Sequence, residues 1–313
     1  MDGLLAAADL SWDERRRRLK DGSLRRVAHG VYATTPRPAD REAGWRWDLR
    51  VAMLACGRDC VGARSAAAAM WGLDGFEAPV PIELNTPVSS RHRQRGVHRV
   101  APLEPIATLG GVDVTGIGQT LIELGAGVTR RRASLNDPIP VRPDELVELA
   151  VESALRRRLT TEEDLLELLG RCGWYRGGAR MLEEVLERRA FGAPPTESYL
   201  ETRGLQVLRN GGLPPGRRQV AIHDDCGRYI KRVDLLLGTR VVVEFDGRAY
   251  HPFEQDHEIW STLSGEDYLV IAVTYEQVTL RLDYVVRRVA AALRHDVGAD
   301  GPGSEPRRQA PRQ

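Results

Sequence analysis

Val233-Asp234-Leu235-Leu236-Leu237-Gly238-Thr239-Arg240-Val241-Val242-Val243-Glu244-Phe245-Asp246 reads as two β-strands back to back. Apolar, β-branched runs lie on either side of Gly238-Thr239, as in strands buried on both faces. Each run is interrupted by one carboxylate, Asp234 in the first and Glu244 in the second. A buried carboxylate without a partner costs several kcal/mol or gives up its charge, so both positions demand an explanation. If the strands are antiparallel neighbours joined at Gly238-Thr239, Asp234 sits beside Glu244, and strand alternation puts Glu244 and Asp246 on one face. A divalent cation is a natural partner for such a pair. The alternative is that Arg232, Arg240 or backbone amides hold the two carboxylates.

Working outward, Arg218–Ile222 reads as a preceding strand, Asp224-Asp225-Cys226-Gly227 as a turn and Tyr229–Leu237 as the strand carrying Asp234. Phe253–Leu263 reads as a helix, Tyr268–Thr274 as a further strand, and Tyr275 to about His295 as one long amphipathic helix. Upstream, Pro194-Pro195-Thr196 opens a helix through Leu200, Glu201, Leu205 and Leu208, from which Glu201 can reach the same place. His251 follows Asp246 closely. Lys231 lies three residues before Asp234, on the opposite strand face by simple alternation.

Residues 1–34 form a small basic zone. Leu4–Asp9 reads as a short helix. Ser11-Trp12-Asp13-Glu14 is a capping box that opens a helix to Lys20, and Asp21-Gly22 ends it. Leu24–Val27 and Gly30–Tyr32 read as two short strands. An Arg-rich helix followed by a basic hairpin suits DNA phosphates, which pair with guanidinium and release counterions. The candidate contacts are Arg15, Arg16, Arg18, Lys20, Arg25 and Arg26, although four consecutive arginines spread around a helix and cannot share one groove. A second basic stretch, Arg91, Arg93 and Arg95 with His92, is an equal candidate for backbone contact or for a solvated loop. His92 and His98 have no carboxylate at ligand spacing and read as structural or surface residues. Between these zones Ser65–Leu73 is a small-residue helix stopped by glycine, and Asp144–Arg158 and Thr161–Leu169 are helices.

The 313 residues carry 45 Lys+Arg against 44 Asp+Glu, so the net charge of +1 identifies no partner and only the distribution informs. Lys20 and Lys231 are the only lysines, which limits any lysine-dependent chemistry to two positions. At 42% hydrophobic and 28% charged residues the chain is globular rather than wholly disordered. Cys56, Cys60, Cys172 and Cys226 are too few for a disulfide scaffold; the expectation is free thiols in a reducing cytoplasm, with a zinc site the lesser reading. No apolar run spans a membrane and no signal-peptide order opens the chain, so a soluble, cytoplasmic protein is expected.

Asp234, nine residues, then Glu244-Phe245-Asp246-Gly247 with His251 resembles the PD-(D/E)XK nuclease superfamily, and more closely its branch similar to very-short-patch-repair endonucleases. Thr196-x-Ser198-x-Leu200-Glu201, Phe253-x-x-Asp256 and Val273-Thr274-Tyr275-x-Gln277-Val278 fit the same pattern. Gly30-Val31-Tyr32 and Ser65…Trp71-Gly72-Leu73 resemble AbiEi-like antitoxins fused to that domain. The resemblance implies an α/β (α+β overall) chain with a mixed α/β middle over 41–192 and a restriction-endonuclease-like core over 193–296, a mixed sheet flanked by helices. The order of elements over 1–40 resembles a winged helix-turn-helix with 12–20 as recognition helix and 24–33 as wing, and the Gly/Pro/Arg-rich composition of 297–313 reads as a disordered tail. It implies Mg2+ (or Mn2+) bound through Asp234 and Glu244, with Asp246, His251 and Glu201 completing a catalytic set for phosphodiester hydrolysis of DNA. His251 is then the proton acceptor and Glu201 a metal or water ligand. Around this core the chain departs from the family, at Trp260, Asp267 and Ala272. Two readings therefore stand: a Mg2+-dependent DNA endonuclease, or a non-catalytic DNA-binding regulator with a cognate toxin protein as partner. No membrane partner is expected, and the oligomeric state is not specified.

Overall fold

The computed structural model describes residues 3–57, 59–77, 81–90, 96–128, 131–132, 140–172, 177–189, 192–224, 226–246 and 262–299. The protein is a mixed α/β chain of α+β type. It divides into two compact units, one taking in residues 1–134 and 141–191, the other 135–140 and 192–313.

The first unit opens with β1 (Leu4–Ala6), a 3-10 turn (Ala7–Asp9), α1 (Trp12–Lys20), β2 (Arg25–Ala28) and β3 (Val31–Ala33), the strands forming an antiparallel sheet in the order β1-β3-β2. Leu4–Ala6 is thus a strand and not the start of a helix: its amides have an open edge at β3 to pair with, and a six-residue Ala/Leu segment is too short to hold a helix alone. Ser11 caps α1 as expected, its Oγ accepting from the Glu14 amide at 3.1 Å. Gly30 (φ +69) lets the chain turn between β2 and β3. α2 (Arg41–Cys56) follows, capped by Asp40, whose Oδ1 accepts from the Ala43 amide at 2.8 Å.

Next come β4 (Val61–Gly62), α3 (Arg64–Met70), β5 (Leu84–Thr86), β6 (Val97–Arg99), β7 (Ala107–Leu109), β8 (Val112–Val114), α4 (Ile117–Gly127), β9 (Arg131–Arg132) and β10 (Pro140–Val141). Five of these strands make one mixed sheet, in the order β6-β5-β4-β8-β7. The small residues of α3 are all buried, which permits close approach of α4. Three helices complete the unit: α5 (Pro143–Arg156), α6 (Glu162–Cys172) and α7 (Ala179–Arg189). The acidic first turn of α6 has a partner beyond the helix dipole: Arg189 reaches Glu162 at 2.8 Å and Glu152 at 3.2 Å, all buried. Cys56 and Cys60 form a disulfide, with Cα atoms 6.3 Å apart, and are neither free thiols nor a zinc pair. His98, which by sequence spacing has no carboxylate near it, has Nε2 3.3 Å from Glu83 Oε1, brought there by parallel pairing of β5 and β6.

The second unit is α8 (Tyr199–Asn210), β11 (Arg217–His223), β12 (Tyr229–Leu237), β13 (Val241–Asp246), β14 (Leu269–Thr274), α9 (Tyr275–Leu280) and α10 (Leu282–Ala299). Its sheet runs β11-β12-β13-β14, antiparallel twice and then parallel. One face packs Leu235, Leu237, Val241, Val243 and Phe245 against Leu200, Val207 and Leu208 of α8 and Val278, Val285 and Val289 of α9 and α10. The other face gathers Ile222, Val233, Leu236, Val242 and Leu263. Burying each such side chain stabilises the unit by about 1.5–3 kcal/mol, so sheet and helices form together. Helix α8 begins after Ser198, not at Pro194, because Ser198 Oγ accepts from the Glu201 amide at 3.1 Å and fixes the first turn. The long C-terminal helix expected from Tyr275 is broken at Arg281 (φ −129) without proline or glycine.

Candidate active site

Asp234 and Glu244 meet where β12 and β13 part. Their pairing runs Leu237↔Val241, Leu236↔Val242 and Leu235↔Val243, and goes no further. Beyond it Asp234 Oδ2 accepts from the Phe245 amide at 2.8 Å, so a side chain takes the hydrogen bond the ladder no longer supplies. On the other side, Gln219 lies between the pairs Arg218↔Leu235 and Val220↔Val233, opposite Asp234. Gln219 has φ +52, a left-handed conformation that costs a non-glycine residue about 1–2 kcal/mol. This kink points its amide into the cluster: Nε2 donates to Glu201 Oε2 at 3.0 Å, and the same side chain hydrogen-bonds Asp234. Glu201 arrives on the first turn of α8, and its Oε2 also accepts from the Glu197 amide at 2.8 Å.

Lys231 of β12 also reaches the cluster. Val233 and Leu236 pack on one face of the sheet, while Leu235 and Leu237 pack on the other. Residues 233 and 236 are an odd number apart, so alternation fails between them. Lys231 shares the Val233 face, and Glu244 shares the face of Val242. Lys231 Nζ accordingly lies 3.2 Å from Glu244 Oε2, and the expectation that Lys231 stands apart from the carboxylates is corrected.

Glu244 is only 9% exposed, and its Oε1 is buried with no hydrogen-bond partner among the described residues. Burial pushes its carboxyl up to about 7; the Asp234 charge and, less strongly, that of Glu201 act in the same direction, and Lys231 opposes them. Asp234 is raised by burial against the Phe245 amide, Lys231 and Gln219. Glu201 is raised by burial and by Asp234, against the Glu197 amide. The two guanidinium groups considered as alternative partners are occupied elsewhere: Arg232 pairs with Glu197, and Arg240 with Asp296 at 2.9 Å. Asp246 is paired through its backbone with Thr274, but its side chain, like all of His251, lies outside the described residues.

Among the described residues no three His, Cys, Asp or Glu side chains gather as a metal-holding group. The chemistry of the pair still suits Mg2+ or Mn2+. Mg2+ is commonly bound by one or two carboxylates with waters and substrate oxygens making up the rest, and the orphaned Glu244 Oε1 is an acceptor of the hard type such a cation takes.

The basic residues of the first unit are distributed unevenly. Arg15 lies 5.8 Å from the centre of the Tyr32 ring and Arg16 5.2 Å from that of Trp12. Arg18 pairs with Glu14 at 3.3 Å, Arg25 donates to the Thr35 carbonyl at 3.2 Å, and Arg26 donates to the Ala28 carbonyl at 3.2 Å. Lys20 and Arg17 are exposed, and Arg17 joins the candidates that sequence reasoning named. Arg91, Arg93 and Arg95 lie outside the described residues. No family model, curated protein or solved structure matches the chain. No helix among the described residues is long and apolar enough to cross a membrane.

Proposed function

We propose that the second unit is a Mg2+- or Mn2+-dependent nuclease core of restriction-endonuclease type acting on DNA. The observation that carries the reading is Glu244 at the parting of two buried strands, paired with Lys231 and feeling the charges of Asp234 and Glu201, with its Oε1 left without a partner among the described residues. Asp234 and Glu244 are the residues that would hold the cation. Such an ion, when bound, polarises the scissile phosphate and lowers the pKa of an attacking water. The protein's own part is positional. The Phe245 amide fixes Asp234, Gln219 fixes Glu201, and the Lys231 ammonium favours the ionised form of Glu244 while offering positive charge toward a phosphate. Glu201, Asp246 and His251 are the candidates for moving the water's proton.

The test is plasmid nicking by the full chain in Mg2+ against EDTA, parent beside Glu244→Ala. Nicking that needs Mg2+ and is lost in the variant is expected; equal activity in both proteins removes the reading. Calorimetric titration of Mn2+ gives a second readout, with binding expected in the parent and not in the variant.

A second reading, a non-catalytic DNA-binding regulator, is favoured by α1 itself. This helix buries none of its residues, and Trp12 is 61% exposed beside Arg16. An amphipathic helix normally hides one face, so an Arg-rich helix with no fully buried residue, following a short strand, suits a winged-helix contact with phosphates. A gel shift that survives Asp234→Ala with no nicking in Mg2+ supports this reading over the first.

A further inference from the structure

The first unit holds a cavity of about 490 Å3, within the range typical of small-molecule sites. Its walls include Pro36, Pro38, Trp47, Met70 and Val112, and Arg46 and Arg50 also line it. The two arginines are four residues apart on α2 and therefore share one helix face. Both reach the β7–β8 hairpin tip, Gly110-Gly111, whose positive φ values (+55 and +74) make the tight two-residue turn. Arg50 is clamped there, its Nη2 donating to the Gly110 carbonyl at 2.7 Å. Arg46 pairs with exposed Glu42 at 2.8 Å through Nη2, and its guanidinium lies 5.5 Å from the centre of the Trp45 ring.

Two lining residues carry donors left unanswered among the described residues. Arg46 Nε and Trp47 Nε1 are buried without an acceptor among the described residues. Buried N–H groups nearly always find a partner, so two orphans on consecutive residues of one cavity wall call for an acceptor from outside the chain. Apart from Arg50 and Thr35 the remaining wall is apolar, and the lining offers flat faces: the Trp47 indole and two prolines.

We propose that this cavity is a binding site for a small anion built on a flat ring, its oxygens meeting Arg46 and Arg50 and its ring lying against Trp47. The site is confined to the first unit and is independent of the nuclease reading. A carboxylate and a phosphate ester offer the same anionic oxygens, and the assay separates them.

The full chain is titrated by calorimetry with 2-naphthoate, 2-naphthyl phosphate and neutral 2-naphthol. One site is expected for at least one anion, with naphthol at least tenfold weaker; whichever anion binds tighter identifies the head group. Arg46→Met is expected to weaken the anion at least tenfold, and Arg46→Lys to recover only part, because lysine has no Nε–H edge. Ala43→Phe, on the exposed side of α2 at the cavity, is expected to abolish binding with the melting temperature unchanged. Binding of naphthol as tight as that of the anions, binding that survives Ala43→Phe, or no binding of any probe overturns the proposal.

Discussion

Replacing Glu244 by Gln removes a buried acid while keeping its shape, and the outcome depends on pH in a defined way. Burial and the Asp234 charge lift the Glu244 carboxyl from 4.5 to about 7. At about 1.4 kcal/mol for each tenfold change in proton affinity, that difference amounts to about 3 kcal/mol. Below pH 4.5 the folded and unfolded chains both carry the proton, and Glu244 contributes no pH dependence. Between 4.5 and about 7 the unfolded chain has released it while the folded chain retains it, so stability falls as pH rises. Above 7 both forms are ionised and the loss is complete.

Glu244→Gln has no proton to lose there. It also relieves Asp234 and Glu201 of a neighbouring negative charge, which acts in the same direction. Lys231 loses its partner, but its side chain is 25% exposed, so that loss stays below about 1 kcal/mol. In metal-free buffer the variant is therefore expected to match the parent near pH 4.5 and to exceed it by about 2–3 kcal/mol at pH 8. Urea unfolding followed by circular dichroism at both pH values reads this difference in whichever transition the substitution moves. A difference independent of pH, or a variant less stable than the parent at pH 8, refutes the account of Glu244 as a destabilised, charge-crowded acid.

Gly204→Ala in α8 should destabilise the second unit by about 1–3 kcal/mol, although alanine normally improves a helix interior, because the added Cβ would lie 2.0 Å from the Phe245 ring; thermal melting checks the sign, and Mg2+-dependent nicking should fall as Phe245 shifts. Neutralising Arg16, Arg17 and Lys20 to Gln should weaken DNA binding across sequences and flatten the dependence of log K on log salt by about 0.9 for each phosphate no longer neutralised, read by fluorescence anisotropy at several salt concentrations. Asp296→Ala should cost about 1–3 kcal/mol, because it strips acceptors from the Thr239 amide and hydroxyl and from Arg240 Nε. Asp296 is held below its usual range, by Arg240 first among the groups that lower it, so its contribution is present at neutral pH and fades as pH falls through that depressed value, as an acid melting series can show.

Periodicity makes the second unit legible: β-branched runs, a turn at Gly238-Thr239 and the amphipathic stretch of α8 are local signals, and local signals survive folding. The helix boundaries are less accessible. Ser198 takes α8 from Pro194, and the choice depends on one hydroxyl meeting one amide. Leu4–Ala6 misleads because its state depends on β3, more than twenty residues away, which no short window contains. The Glu83–His98 contact is hidden for the same reason, a meeting set by strand pairing; Cys56 and Cys60 are only four residues apart, and spacing alone does not tell a bridge from two thiols. Asp234 and Glu244 can be found because carboxylates in apolar strands are anomalous wherever they occur, and Glu201 follows because the helix before those strands can reach them. Gln219 and Lys231 cannot, since an amide and an ammonium among strand residues with exposed neighbours raise no such anomaly.

Gln219 and Lys231 share one physical cause. A regular pair of strands would place Asp234 in the ladder, its side chain on one face, with Glu244 across from it. In this protein Val233 and Leu236 of β12 pack on the same face, β11 kinks at Gln219 and the pairing of β13 with β12 ends at Val243. The three irregularities fall at one level of the sheet. Together they turn a carboxylate sideways to hold the Phe245 amide, bring an amide over from β11, and return Lys231 to the face of Glu244. Sheets do not give up ladder hydrogen bonds and accept a left-handed glutamine without compensation, and the apolar packing on both faces of this sheet is what sustains them. Straightening β11 with Gln219→Val, a residue that resists φ +52, should therefore release Glu201 and Asp234 together, stabilise or barely change the fold, and lower Mg2+-dependent nicking. If nicking in Gln219→Val equals the parent's, the kink is incidental and the site does not depend on it.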